Sequence, residues 1–226
     1  MELLSVQRAR SVWLFDLSDL NPRGKSVGEA LIDWLESAYH FSKKPSSPTD
    51  LDESKALAFT GGEFQIRDEI FIDVELRIYN DGIVGDTRSS TEDTDTFLAD
   101  VLQTFSKEFN LPYRPDMVRK KLFHSELNVR TEKSLAFLNP RLSEFTHRLA
   151  ELTRNPMSSL QPTGIAFWAD NAGNPQITEF RFERKIGTAF EELRYWSKAP
   201  LPTSQHLEML DILESILTVP RGNGTA

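Results

Sequence analysis

Glu69 to Arg88 reads EIFIDVELRIYNDGIVGDTR, and the alternation inside it decides the fold. From Ile70 onward, one side of an extended chain carries Ile70, Ile72, Val74, Leu76 and Ile78, and the other carries Phe71, Asp73, Glu75, Arg77 and Tyr79. A period of two marks a strand with one face in a core and the other in water. Asn80-Asp81-Gly82 follows, and these residues tolerate a positive φ, so the chain is predicted to fold back into Ile83 to Arg88 as a hairpin.

A related pattern returns between Gln176 and Lys198. Ile177, Glu179, Arg181 and Glu183 alternate with Thr178, Phe180 and Phe182, and Glu75-Leu76-Arg77-Ile78 aligns with Glu179-Phe180-Arg181-Phe182. The segments flanking the two strands repeat as well. In the first half, Val12 to Leu17 reads as a buried strand, and Asn21-Pro22-Arg23-Gly24 breaks it. Ser26 and Glu29 form a capping box for a helix whose apolar stripe is Val27, Ala30, Leu31, Trp34, Leu35 and Phe41. Ser42 to Lys55, with Pro45 and Pro48, reads as a surface loop; Ala56 to Phe59 reads as a short strand and Gly61-Gly62 as a turn. After the hairpin, a helix capped near Thr91 carries Phe97, Leu98, Val101, Leu102, Phe105 and Phe109, with Glu92, Asp93 and Asp95 at the positive end of its dipole.

The second half begins with a strand over Lys121 to Val129 and a helix opened by Asn139-Pro140, whose predicted buried stripe is Leu142, Phe145, Leu149 and Leu152. A linker through Asn155-Pro156 and Gln161-Pro162 leads to a strand over Gly164 to Trp168, and Asn171 to Pro175 turns into the second copy of the central strand. A strand over Leu193 to Ser197 stops at Pro200 and Pro202. Thr203 then caps a last helix with Leu207, Leu210, Leu213 and Leu217 on its core face. Leu20-Asn21-Pro22-Arg23 and Leu138-Asn139-Pro140-Arg141 recur beside the two first helices. The expected fold is α+β: a pseudo-duplicated unit of strand, helix, two or three strands and helix, with an antiparallel sheet and the helices packed on one face. The expected repeats are residues 1–115 and 116–219, joined edge to edge in one sheet, with a frayed tail over 220–226. In topology this is similar to two-fold duplications such as the TATA-binding-protein-like saddle; no residue motif of that family accompanies the order.

Composition narrows the function classes. The 226 residues include no cysteine, which removes disulfides, thiolate metal sites and cysteine nucleophiles. Hydrophobic content of 39% with 27% charged residues is that of a soluble globular protein. No apolar run approaches the roughly 20 residues of a bilayer-spanning helix, and Met1 to Arg10 lacks the pattern of a secretory signal. A cytoplasmic protein without membrane insertion is expected. The net charge of −8 disfavours nucleic acid as a partner.

Gly24-Lys25-Ser26 stands between a strand and a helix, as a phosphate-binding loop does, but the glycine needed five positions earlier is Asp19 and Pro22 removes an amide donor. His40, His124, His147 and His206 show no metal-ligand spacing and most of them read as surface or boundary residues; no metal and no cofactor are expected. Ser89-Ser90-Thr91 reads as helix capping rather than as a nucleophile. The stronger candidate is the second face of the two central strands: Asp73, Glu75, Arg77 and Tyr79 in one half, Glu179, Arg181 and Glu183 in the other, with Arg194 and Tyr195 beside them and Trp196 as a further amphipathic anchor. The function expected is non-enzymatic protein binding or assembly, with another protein or a second copy of this chain in a homo-oligomer, through this mixed-charge face or a strand edge. The alternative is an enzyme acting on a phosphorylated or carbohydrate ligand through Asp73 and Glu75, with Arg77 or Lys25.

Overall fold

In this computed structural model, residues 1–22, 24, 28–46, 56–139, 142–152, 160–168 and 179–218 are described. They form β1 (Glu2–Leu14), α1 (Leu17–Leu20), α2 (Gly28–Tyr39), β2 (Leu57–Arg67), β3 (Ile70–Tyr79), β4 (Gly82–Thr87) and α3 (Thr91–Glu108). Then follow β5 (Lys120–Arg130), α4 (Leu142–Leu152), β6 (Gly164–Phe167), β7 (Phe180–Arg184), β8 (Arg194–Ala199) and α5 (Thr203–Thr218). The strands belong to an eight-stranded antiparallel sheet in the order β2-β3-β4-β1-β5-β8-β7-β6. Each half places its own first strand beside its own fourth, so the order is the same counted inward from either edge, and the architecture is a pseudo-duplication. By internal contacts the chain divides into two compact units. The first is Val6–Ser125 with Leu201–Thr203; the second is Met1–Ser5 with Glu126–Pro200 and Ser204–Ala226.

The hairpin that organises the first unit forms, but its core side is shorter than the alternation: Ile70 is exposed and Ile72 half-buried. Val74, Leu76 and Ile78 are buried, β3 pairs with β4 in the register Leu76 to Gly85, and Asn80-Asp81 makes the turn. Gly82 is where the third strand presses in: a Cβ there lies 2.1 Å from the carbonyl oxygen of Trp13, so only glycine fits. Ser90 caps α3 by accepting a hydrogen bond from the Asp93 amide, and Glu92 and Asp93 occupy the first turn. The α3 stripe of Phe97, Leu98, Val101, Leu102 and Phe105 is buried against the sheet, and Trp34 of α2 packs on Phe105 and Phe109. Each such side chain contributes roughly 1.5–3 kcal/mol over leaving it in water. The tyrosine in this core keeps a polar partner. Tyr39 donates its hydroxyl proton to Asp100 at 2.7 Å, and burial first, then that bond, pushes its pKa up.

Several elements differ from expectation. The first strand is Glu2–Leu14 rather than Val12 to Leu17, because Ala9, Ser11 and Trp13 face the helices while Arg8 and Arg10 face away. Asp16, expected in that strand, instead caps α1 by accepting from the Ser18 amide. Gly61-Gly62 is not a turn: β2 runs through it with a bulge between Phe59 and Gly62, accommodated by the left-handed φ of +66° at Gly61. Phe41 is buried but lies beyond α2, which ends at Tyr39 and is followed by His40 with a left-handed φ of 54°.

In the second unit, Phe182 stacks on Tyr195 with ring centroids 4.5 Å apart and planes 16° apart, and Leu210, Leu213 and Leu217 of α5 are buried. His206 is the exception among the histidines expected mostly at the surface or a boundary, being fully buried. Ser197 accounts for this: its hydroxyl donates to the Arg181 carbonyl at 2.9 Å, so the His206 Nε2–H donates to Ser197 Oγ at 2.8 Å. The largest departure is α4, whose stripe of Leu142, Phe145, Leu149 and Leu152 is exposed rather than buried. Ser26 of the expected capping box, Lys25, most of the loop over 47–55, Pro140, the linker at Asn155-Pro156, the turn over Asn171 to Pro175, Gln176 to Thr178 and the tail from Pro220 lie outside the described residues. Among the described residues, no helix is long and apolar enough to cross a membrane.

Candidate functional site

Because α3 covers the Val74–Leu76–Ile78 side of the first unit, the other side of β3, β4 and β1 is left open. Asp86 of β4, 8% exposed, is directly opposite Arg10 of β1 and Glu75 of β3. Two adjacent carboxylates repel, and two arginines neutralise them. Arg10 holds Asp86 bidentately, Nε to Oδ1 at 2.8 Å and Nη2 to Oδ2 at 2.9 Å. Arg77 reaches the same carboxylate through Nη1 at 2.7 Å and Glu75 through Nη2 at 3.2 Å. The result is a braced line of alternating charge across three strands, in a shallow depression of about 390 Å³ lined also by Gln7, Arg8, Asp73 and Arg88. Phe71 and Tyr79, on the same side of β3 as Asp73, Glu75 and Arg77, are 58% and 40% exposed at its two ends.

The second unit repeats the device with different residues. Glu179 accepts from Arg181 Nε at 2.8 Å and pairs with Lys198, and Arg181 also meets Glu183 at 3.4 Å. The Lys198 ammonium, and then Arg181, holds the Glu179 carboxyl below its ordinary pKa. Register explains the change of cation. Arg181 is opposite Lys198, whereas Arg77 is opposite Val84.

The structure thus brings Glu75 and Arg77 together, and separately Glu179, Arg181 and Glu183. Asp73 is exposed on the open side of β3 and forms no ion pair among the described residues; Tyr79 is exposed as expected. Arg194 is half-buried, with its Nε 3.4 Å from Glu192. Tyr195 is a correction. It is 4% exposed, stacked on Phe182, and its hydroxyl accepts from the Leu135 amide at 3.4 Å, so it belongs to the core and not to a binding face. Its side in β8 follows from alternation: Tyr195, Ser197 and Ala199 point inward, leaving Arg194, Trp196 and Lys198 on the other side. Arg10 and Asp86 are the residues that sequence reasoning missed. The signal is the alternation of Arg8 and Arg10 with Ala9 and Ser11, immediately before the apolar run from Val12.

Among the described residues, no three of His, Asp and Glu converge in a way that holds a metal ion. Ser89 donates to Asp93 within the capping turn of α3, in keeping with a capping role. No family model matches the chain, and no curated protein matches it. Among solved structures, one titled Methanococcus jannaschii TBP is similar at 10% identity, covering 96% of this chain and 97% of that chain with a TM-score of 0.39.

Proposed function

We propose that this chain is a non-enzymatic docking protein that binds another polypeptide through the open side of β3, β4 and β1. The observation that supports this reading is the braced charge line of Glu75, Arg77, Asp86 and Arg10 between the exposed rings of Phe71 and Tyr79. Arg10 pairs bidentately with Asp86 and Arg77 bridges Asp86 and Glu75, so both arginines are held before a partner arrives and less side-chain entropy is lost on binding. Aromatic and arginine side chains at the centre of a contact carry most of its energy. Of the two carboxylates that an enzyme would use, Glu75 is held by Arg77, which weighs against its role as a free acid, base or metal ligand.

Native mass spectrometry of protein purified gently from its own cells tests this. The expected result is a co-purified polypeptide that dissociates at least tenfold more readily, about 1.4 kcal/mol, from the Phe71→Ala, Arg77→Ala and Tyr79→Ala variants. A partner that binds all three variants as tightly as the wild type rules out this face. A small retained ligand in place of a polypeptide moves the reading to an enzyme centred on Asp73 and Glu75.

A further inference from the structure

We infer that α4 is a self-association surface, pairing with α4 of a second copy of this chain. The surface and the occupant are both distinct from those of the sheet side described above. Leu142, Phe145, Leu149 and Leu152 are 40%, 63%, 39% and 66% exposed, and Phe137, in the 3-10 turn that leads into the helix, is 60% exposed. The counterpart in the first unit is covered from within. There Ile32, Leu35 and Tyr39 of α2 are buried, and Trp34 packs against Phe105 of α3 and Phe109 at its C-cap. The same place in the duplication is therefore closed by the chain's own residues in one unit and open in the other.

Two features select a second copy as the occupant. The first is spacing: three, four and three residues separate the apolar positions, which is the a/d seam of paired helices. That spacing reads the same in both directions, so a two-fold antiparallel pairing sets Leu142 opposite Leu152 and Phe145 opposite Leu149 in both copies. The second is area. With 150–250 Å² on a phenylalanine and somewhat less on a leucine, the five side chains leave on the order of 500 Å² uncovered per copy. A pair then removes on the order of 1,000 Å², which reaches the lower limit of a specific interface. Arg148 beside the stripe is paired with Glu151 of its own helix at 2.7 Å, so its charge is balanced before a copy approaches.

Sedimentation velocity and native mass spectrometry of the full chain at micromolar concentration read the outcome. The wild type is expected to be a dimer, with a dissociation constant raised at least ~10-fold in Phe145→Glu and in Leu149→Glu. Ile186→Glu, at a fully exposed turn position, is expected to leave the dimer intact. Because the chain has no cysteine, Phe145→Cys combined with Leu149→Cys places a thiol pair only at this seam, and oxidation is expected to yield a dimer linked from 145 of one copy to 149 of the other. A wild type that stays monomeric, a dimer unaffected by Phe145→Glu, or a dimer that forms without the 145-to-149 link would each overturn the inference.

Discussion

Glu179 shows how one carboxylate is set by its neighbours. Its hydrogen bond to Lys198 is the largest influence, its ion pair with Arg181 adds to it, and its folded pKa lies below the ordinary glutamate value of 4.5. For a depressed carboxylate, the folded state binds fewer protons than the unfolded chain near that value. Its stabilisation is therefore complete above the unfolded pKa and is lost as pH falls through the folded one. Lys198→Gln removes the leading cause, so the Glu179 carboxyl titration followed by NMR is expected to move up toward 4.5. An unchanged titration midpoint in that variant contradicts the assignment to Lys198. At this scale the sequence was half informative: Glu179 and Arg181 were legible as neighbours on a strand, but Lys198 enters only through the register that sets it opposite Arg181.

At the scale of elements, the decisive contrast is between two tyrosines on strands. Tyr79 at the end of β3 is exposed, and Tyr195 in β8 is stacked on Phe182 in the core. Tyr195→Ala is expected to destabilise the fold by about 3–5 kcal/mol, the cost of emptying an aromatic site. Tyr79→Ala is expected to shift stability by no more than about 0.5 kcal/mol. Urea denaturation of both variants checks this, and equal effects contradict the two placements. Strand β3 announced which of its sides is buried, because five consecutive alternate positions are aliphatic. Strand β8 did not, because Arg194-Tyr195-Trp196-Ser197 places one amphipathic ring on each side, and either ring satisfies a core. The glycine pair in β2 misled for a related reason: glycine serves turns and bulges alike, and the ladder with β3 is what makes this one a bulge.

At the scale of the whole molecule, the two units share an order of elements but not a degree of closure. The first unit holds a contiguous apolar core from Trp13 to Leu111, including the rings of Tyr39, Phe41, Phe59, Phe97 and Phe105. In the second unit, α4 carries its apolar stripe outward. Local opening is governed by buried apolar contact, so amide hydrogen exchange is expected to be slowest in α3 and β4 and markedly faster in α4 at concentrations too low for association. Equal protection of α3 and α4 in the dilute chain contradicts that difference.

Local periodicity and capping made legible the order of the principal strands and helices in each half and the inward side of β3, α3 and α5, but not α1 or the run of β2 through Gly61-Gly62. Strand pairing and packing set where β1 begins, bury Tyr195 and His206, link Arg10 to Arg77 through Asp86, and leave the stripe of α4 exposed. Each of these depends on which residue stands opposite another across a sheet or beneath a helix. Periodicity fixes a side of an element, but it carries no information about what lies against that side.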